Sequence, residues 1–228
     1  MPSLLITGSR KGIGRAIAEH YLAQGWIVYG CSRTPADWTH ERYTHYTCDV
    51  SNAPAVRTLV RSVEKASNGI DALVNNAGIA AMNALLLTPA STAQDVFATN
   101  TLGTFYVLQE VAKGMCRRKS GRIVNFSSIA HPLNLEGEAI YAARKAAVES
   151  ITRIAAREFG PYGVTVNAIG PTAIDTDLVR TVPKAKLEEL RSRQAIPRAG
   201  TAGDVIHAVD FFLQPKSDFI TGQVLYLG

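Results

Sequence analysis

The chain has 228 residues, of which 46% are hydrophobic and 19% are charged, and its formal net charge is +5. A chain of this length and composition is too apolar to remain disordered and can bury a sizeable core in one domain or two small ones. Its apolar stretches are shorter than the roughly 18 residues of a membrane helix, and no basic region precedes the apolar run near Met1. We therefore expect a cytoplasmic protein with no secretory signal and no membrane partner.

The cysteines and the basic residues exclude further classes. Cys31, Cys48 and Cys116 are odd in number and widely spaced, which favours free thiols in a reducing compartment over a disulfide framework or a metal site. The densest basic cluster, Arg117–Lys119, falls at a predicted helix end, where cations interact favourably with the helix dipole. Because no recognition motif accompanies this charge, we expect no nucleic-acid partner.

Short aliphatic or β-branched runs alternate with longer helical patterns. The predicted strands are Ser3–Thr7, Trp26–Cys31, Tyr43–Cys48, Ala72–Asn75, Arg122–Ser127, Val164–Ile169 and Val224–Leu227. The predicted helices are Ile13–Ala23, Ala53–Ala66, Leu102–Arg118, Ala139–Phe159, Lys184–Ser192 and Ala202–Leu213. Several strands are apolar at consecutive positions, as in parallel sheets buried on both faces. The pattern predicts a single-domain Rossmann-type α/β fold, a doubly wound parallel sheet of about seven strands with helices on both faces.

A segment around 171–200 with several prolines interrupts this alternation, and we interpret it as a substrate lid within one domain that spans 1–228. Its basic residues have two interpretations. They could face an acyl-carrier partner, or they could form the solvated face of a helix. These residues are Lys184, Lys186, Arg191 and Arg193.

The first predicted strand leads directly into a glycine-rich turn that precedes a predicted helix. Glycines permit a sharp turn and the close approach of a pyrophosphate, and the N–H groups at the helix start attract the anion. A glycine pattern alone also fits any tight strand-to-helix turn, but here a strand and a helix flank it. The turn predicts a dinucleotide site formed by Gly8, Ser9, Arg10, Lys11, Gly12, Ile13 and Gly14.

The second strand ends at Ser32 and Arg33, without the carboxylate that binds the ribose hydroxyls in NAD-preferring sheets. The Arg33 guanidinium can form a fork on a 2′-phosphate, and Arg10 and Lys11 add positive charge on the same side. The alternative is a pair of solvated surface residues. The sequence favours NADP(H) as the cofactor.

Tyr141 and Lys145 are four residues apart on a predicted helix, so their side chains share one face. A free tyrosine has a pKa of about 10, and a neighbouring ammonium lowers this value because it favours the anion. Such a pair can donate a proton to a carbonyl oxygen or remove one from an alcohol. Ser128 ends an apolar strand, where its hydroxyl can stabilise the reacting oxygen. These residues also have structural explanations: Tyr141 and Lys145 could pack on the helix, and Ser128 could belong to a turn. Asn100, near the start of a long predicted helix, could be a helix cap.

Taken in order, these motifs resemble the short-chain dehydrogenase/reductase family over essentially the whole chain, and most of all its 3-oxoacyl-acyl-carrier-protein reductase branch. The motifs are Thr7–Gly14 (TGSRKGIG), Asn75–Gly78 (NNAG), Asn100, Ser127-Ser128, Tyr141-x-x-x-Lys145, Pro171…Thr176 and Ile220–Gln223. The resemblance implies direct hydride transfer between a nicotinamide and the substrate carbon. It implies a catalytic tetrad in which Asn100 holds a relay water, and its members are Asn100, Ser128, Tyr141 and Lys145.

The resemblance also implies further cofactor contacts. Asp49 and Val50 would contact the adenine, and the ribose side would be lined by Asn76, Ala77 and Gly78. Tyr141 and Lys145 would face the nicotinamide ribose, and the carboxamide end would meet Pro171, Ile174 and Thr176. The chain departs from the family at Thr172, where glycine is frequent, and at Arg144, where serine is common. Neither departure removes a catalytic group.

The predicted substrate-facing residues are mostly apolar: Ala80, Met82, His131, Leu133, Leu135, Tyr141, Val179 and Pro183. The segment 128–141 contains no arginine that could clamp a carboxylate, and Glu136 and Glu138 disfavour an anionic ligand. This composition favours a neutral, partly apolar small-molecule carbonyl compound and leaves an acyl thioester open. His131 either hydrogen-bonds the substrate or is simply an exposed loop residue.

These observations predict an NADPH-dependent oxidoreductase that reversibly reduces a ketone or 3-oxoacyl-type carbonyl, with Tyr141 as the acid–base. The alternative is a non-catalytic NADP(H)-binding sensor of the same fold, which would have no chemical need for four catalytic groups. The helices Leu102–Arg118 and Ala139–Phe159 are more apolar than one sheet face requires. They suggest a homo-oligomer, and the family commonly forms tetramers through these helices.

Overall fold

The computed structural model describes residues 1–174, 182 and 184–228. Seven strands lie in this part of the chain: β1 (Ser3–Thr7), β2 (Ile27–Ser32), β3 (Tyr43–Thr47), β4 (Ala72–Asn75), β5 (Gly121–Phe126), β6 (Val164–Pro171) and β7 (Val224–Leu227). They form one parallel sheet in the order β3-β2-β1-β4-β5-β6-β7. All seven predicted strands are confirmed, with their ends displaced by at most two residues.

Helices cover both faces of this sheet. They are α1 (Gly12–Ala23), α2 (Ala53–Ser67), α3 (Ala90–Phe97), α4 (Gly103–Arg118), α5 (Ala130–Leu133), α6 (Ala139–Phe159), α7 (Lys184–Ser192) and α8 (Ala202–Leu213). On one face, Val56 of α2, Val111 of α4 and Ala155 of α6 pack in one core. On the other, Ile17 of α1 and Val209 of α8 pack in a second core. The doubly wound Rossmann-type prediction is therefore confirmed. Among the described helices, none has the length and apolar character needed to cross a bilayer.

The structure adds helical segments that the sequence pattern did not indicate. Helix α3 buries only Val96, so its sequence carries almost no apolar periodicity. A π-helical turn, Ala98–Leu102, then leads from α3 into α4. Such turns are rare and are frequent at functional sites. This one places the buried side chain of Asn100 beside the loop that follows β4.

The position of the site follows from the strand order. The chain winds outwards from β1 in both directions, since β2 and β4 are both neighbours of β1. The loops that follow β1 and β4 therefore leave the sheet on opposite sides and open a crevice at the carboxyl ends of the strands. The side chain of Asn76, which follows β4, connects the two loops at this crevice. Its Nδ2 donates to the carbonyl oxygens of Thr7 (2.9 Å) and Gly8 (3.2 Å) at the end of β1. Parallel α/β sheets bind their ligands at such a crevice.

Candidate active site

A cavity of about 530 Å³ opens where β1, β2 and β4 end, a volume typical of ligand sites. The glycine-rich turn forms its floor. Gly8 and Gly12 adopt left-handed backbone conformations, with φ of 73° and 60°. A Cβ at Gly14 would overlap the carbonyl oxygen of Gly8 and Nδ2 of Asn76. The turn therefore requires glycine at these positions, and the N–H groups at the start of α1 face the cavity.

Most of the predicted cofactor residues line this first cavity. They are Gly8, Arg10, Lys11, Gly12, Ile13, Gly14, Ser32, Arg33, Asp49, Val50, Asn76, Ala77 and Gly78. The sequence analysis missed five lining residues: Cys31, Thr34, Cys48, Ile79 and Thr99. Four of the five directly adjoin a predicted residue in sequence, and Thr99 precedes Asn100. Their neighbours could have identified them, because consecutive residues of a loop at a strand end often face the same crevice.

Ser9 differs from its neighbours in the turn. It is fully buried and absent from the lining of the first cavity, and its Oγ lies 2.8 Å from the hydroxyl of Tyr43. Tyr43 contacts Nδ1 of His45 at 2.7 Å, and Nε2 of His45 contacts Oγ of Ser32 at 2.9 Å. Burial lowers the pKa of His45, so its ring is neutral at pH 7. Ser9 thus supports the turn from its buried side. The hydrogen bonds through Tyr43 and His45 also hold the hydroxyl of Ser32 in place at the end of β2.

The charges around the first cavity favour an anion. Arg10, Lys11 and Arg33 all line it, and Arg33 is exposed at its rim. The acidic residue in its lining is Asp49, whose Oδ1 accepts hydrogen bonds from N (2.9 Å) and Oγ (2.7 Å) of Ser51. The lining residues at the end of β2 include no carboxylate. A carboxylate at that position would exclude a 2′-phosphate.

A second cavity, of about 180 Å³, adjoins the first and shares Ile13, Asn76, Gly78 and Ile79 with it. Three of the four predicted catalytic side chains line it, together with two predicted cofactor residues that do not line the first cavity. The catalytic residues are Ser128, Tyr141 and Lys145, and the cofactor residues are Pro171 and Ile174. The fold therefore brings together residues from the ends of β5 and β6 and from one face of α6.

Two of these predicted catalytic groups, Ser128 and Lys145, are held by local hydrogen bonds. Ser128 follows β5 and is 8% exposed, and its Oγ accepts a hydrogen bond from the N–H of Ala130 at 3.2 Å. Lys145 is buried and donates from Nζ to the carbonyl oxygen of Phe126 at 2.5 Å. Burial, with the nearby charge of Arg144, holds the pKa of Lys145 well below its usual value. Its Nζ lies 5.8 Å from the ring centroid of Tyr141.

Asn100 is engaged differently from the relay role that the resemblance implies. Its Oδ1 accepts from the N–H of Ile79, and its Nδ2 donates to the carbonyl oxygen of Ile79, both at 2.8 Å. Its backbone carbonyl accepts a hydrogen bond from Oγ1 of Thr104 at 2.8 Å. The side chain therefore fixes the loop after β4, which both cavities share. The relay function stays a prediction.

The structure places only some of the predicted substrate residues in the lining of the second cavity. Ala80, Met82 and Leu135 line the second cavity, whereas His131 and Leu133 do not. Thr176, Val179 and Pro183 lie outside the described residues. Helix α7 contributes Lys186, Leu187, Glu189 and Leu190 to the lining, so part of the predicted lid covers this cavity. Arg144 and Glu138 also line it, and neither was predicted as a ligand-binding residue.

His131 contacts a buried carboxylate, that of Glu149 on α6. Glu149 is 1% exposed, and its Oε1 accepts from Oγ of Ser127 (2.6 Å) and the hydroxyl of Tyr226 (2.6 Å). The same oxygen lies 3.0 Å from Nδ1 of His131, and Oε2 accepts from Nη2 of Arg153 at 3.2 Å. Burial alone would raise the pKa of Glu149, but these hydrogen bonds and the nearby His131 hold it below its usual value. The cluster joins α6, β7 and the turn that carries Ser128.

A phosphate-binding turn at the switch point of a parallel sheet, beside Ser128, Tyr141 and Lys145, defines an NAD(P)-dependent oxidoreductase. A family model described as Enoyl-(Acyl carrier protein) reductase matches residues 8–227. The chain belongs to the short-chain dehydrogenase/reductase family, as its motifs predict.

Individual relatives agree with this assignment. The 3-oxoacyl-[acyl-carrier-protein] reductase FabG of Staphylococcus aureus is 33% identical to the chain, over 99% of the chain and 96% of that protein. The crystal structure of levodione reductase superposes with a TM-score of 0.91 at 28% identity, covering 99% of the chain and 95% of that structure. ElxO with NADP bound also has a TM-score of 0.91, at 29% identity, covering 99% and 96%. These proteins share the fold over essentially their whole length.

Proposed function

We propose that the protein is an NADPH-dependent reductase that converts a ketone or 3-oxoacyl-type carbonyl to a secondary alcohol, and that also catalyses the reverse reaction. The observation that carries this proposal is the junction of the two cavities. Ser128, Tyr141 and Lys145 line the second cavity, which shares four residues with the dinucleotide cavity. The similarity to 3-oxoacyl and levodione reductases supports reduction of a carbonyl group.

The residues fit a nicotinamide cofactor, since the turn requires glycine and the N–H groups of α1 face the first cavity. When bound, NADPH supplies the hydride. Tyr141 donates its phenolic proton to the carbonyl oxygen, and Oγ of Ser128 hydrogen-bonds that oxygen as negative charge develops on it. Lys145 stabilises the tyrosine anion that remains. Helix α7, whose Leu187 and Leu190 line the second cavity, would exclude water from it.

The preference for NADPH rests on Arg33, Arg10, Lys11 and Ser32 around the end of β2. Arg33→Ser should lower kcat/KM for NADPH roughly 10- to 100-fold, because a charge-assisted hydrogen bond contributes about 1.5–3 kcal/mol. The value for NADH should stay nearly constant, since NADH has no phosphate at this position. Initial rates with both cofactors measure this effect, and the exposed Arg61→Ser on α2 serves as the matched control. Equal losses with both cofactors would contradict a phosphate-binding role for Arg33.

The proposed function is tested by the consumption of NADPH by the purified protein, followed by absorbance. The panel contains a 3-oxoacyl thioester, a 1,2-diketone, a cyclic ketone, an aromatic ketone and an enoyl thioester, with NADH in parallel. Turnover of any ketone supports the proposal and ranks the substrate classes. Turnover of the enoyl thioester alone would replace carbonyl reduction by reduction of a carbon–carbon double bond. Cofactor binding without turnover on the whole panel would favour the non-catalytic sensor.

We also propose a cytoplasmic homo-oligomer that acts on a small-molecule carbonyl compound. The three cysteines are free thiols, which fits a reducing compartment. Apolar side chains on α4 and α6 remain exposed, with 37% of Phe105 and 55% of Ile154 accessible. Association of chains through these helices would bury them. Sedimentation of the purified protein tests the assembly.

A further inference from the structure

Arg144 occupies an unusual position in the second cavity. It precedes Lys145 on α6, lines the cavity and is only 2% exposed. Its Cζ lies 3.7 Å from the ring centroid of Tyr141, and its Nη2 donates to the carbonyl oxygen of Ile79 at 3.2 Å. Nε and Nη1 are buried and meet no acceptor at hydrogen-bond geometry within the described part of the chain, although Tyr141 and Glu138 lie close enough to favour the charged form of Arg144. The Arg144 guanidinium thus packs against the ring of Tyr141, and two of its nitrogens have N–H groups without an acceptor.

A buried guanidinium with unused donors is costly, because burial removes the water that would otherwise bind them. Arginine cannot escape this cost by losing its proton. A structural arginine would therefore have its donors paired, as the donor Nη2 is here with Ile79. The unpaired Nε and Nη1 indicate that a group outside the protein completes the site.

The charges around Arg144 do not neutralise it. Two lysines also line the cavity: Lys145, whose pKa is held well below its usual value, and Lys186 of α7. The acids in the lining are Glu138, Glu136 and Glu189, of which Glu136 is largely exposed and Glu189 pairs with Lys186 at 3.0 Å. Burial raises the pKa of Glu138 to about 7, so this carboxyl is partly protonated at neutral pH. An anionic oxygen would therefore be attracted to this cavity.

We propose that Arg144 is a specificity-determining residue that binds a carboxylate of the substrate, so that the preferred substrate is an oxo acid. This inference rests on the proposed ketone reduction. The guanidinium lies over the ring of the proton donor, so the carboxylate lies only a few bonds from the reacting carbonyl, as in a 2-oxo or 3-oxo acid. An oxo acid differs from the neutral substrate that the segment 128–141 suggests, because the arginine that would bind its carboxylate lies on α6, outside that segment.

The test compares three ketones that share one reacting centre: 3-oxobutanoate, its methyl ester and 2-pentanone. The wild-type protein should show a kcat/KM for the acid roughly 10- to 100-fold above that for the ester, mainly through KM. Arg144→Ser should remove this preference, and Arg144→Lys should restore part of it because the ammonium keeps the charge. Arg157→Ser, an exposed position on the same helix, should keep the wild-type preference.

A binding measurement separates this proposal from the proposed function. In the Tyr141→Phe protein loaded with NADP⁺, calorimetry should show tighter binding of 3-oxobutanoate than of its ester, and adding Arg144→Ser should remove the difference. Equal binding of acid and ester would overturn the role of Arg144, even if the wild-type protein reduces ketones. An equal loss of kcat on all three ketones in Arg144→Ser, at an unchanged preference, would also overturn it, since Arg144 would then act on Tyr141. Failure of the wild-type protein to reduce any ketone, with selective binding of the acid intact, would overturn the reductase and retain the carboxylate site.

Discussion

Tyr141→Phe is expected to lower kcat for ketone reduction about 10²- to 10⁴-fold, the usual contribution of a positioned acid–base group. Phenylalanine preserves the ring that packs against Arg144 and lines the second cavity, and it removes only the phenolic hydroxyl group. The carbonyl oxygen would then develop negative charge with the hydroxyl of Ser128 as its remaining protein donor nearby. Stopped-flow or steady-state consumption of NADPH, with the best ketone of the panel, measures the effect.

Binding of the cofactor should change little in the same variant, since the glycine-rich turn and the end of β2 form the first cavity without Tyr141. Titration of protein fluorescence with NADPH checks this. Tyr162→Phe, at a tyrosine that is 48% exposed, provides the matched control and should leave both quantities unchanged. Retention of turnover in Tyr141→Phe, or loss of turnover together with cofactor binding, would contradict the assigned role.

The fold was predictable from sequence because its signals are local. The strand Leu4–Ile6 is fully buried and consists of consecutive aliphatic residues, which is the pattern of a strand covered on both faces. Gly8 and Gly14 reveal the phosphate-binding turn because only glycine fits their backbone conformation or surroundings. Tyr141 and Lys145 share a face since helical geometry alone places residues four apart together. Such features do not depend on contacts between distant segments.

The missed features depend on such contacts. Nothing in the local sequence shows that Arg144 turns towards Ile79, 65 positions earlier, or that Glu149 meets Tyr226, 77 positions later. The sequence leaves His131 as either a substrate ligand or an exposed loop residue, and it does not indicate the contact of His131 with the buried carboxylate of Glu149. Arg144 and Glu149 are charged residues on the buried face of an apolar helix. That is the one sequence signal that could have indicated their contacts with Ile79 and Tyr226.

Thr172 illustrates how a tertiary contact accommodates a departure from the family pattern. Its backbone φ is not among the left-handed values of the described chain, so glycine is not required there. Its N–H donates to the carbonyl oxygen of Leu227 at 3.1 Å, and its Oγ1 hydrogen-bonds the side chain of Gln194. Glycine would keep the backbone contact with β7, so threonine adds only the side-chain contact with the segment after α7.

Glu149→Leu is expected to lower the free energy of unfolding by about 2–3 kcal/mol at pH 7. Leucine fills a similar volume but leaves the hydroxyl of Ser127, which is 3% exposed, without its acceptor, and it removes the acceptor of Tyr226 as well. Glu149→Gln keeps an oxygen in the place of Oε1 and should lose only about 1 kcal/mol. Urea denaturation of the variants measures these differences. Glu158→Gln, at an exposed position on the same helix, is the matched control.

The pH dependence of this difference identifies the carboxylate charge as its source. The pKa of Glu149 is lower in the folded chain than its ordinary value, so its contribution is complete above the unfolded value of about 4.3. That contribution is lost as the pH falls through the folded value, because the protonated carboxyl accepts the surrounding hydrogen bonds less well. The stability gap between the wild-type protein and Glu149→Gln should therefore be widest at pH 6–7 and should narrow below about pH 4. A gap that stays constant across this range would show that the packing of Glu149, and not its negative charge, accounts for its contribution to stability.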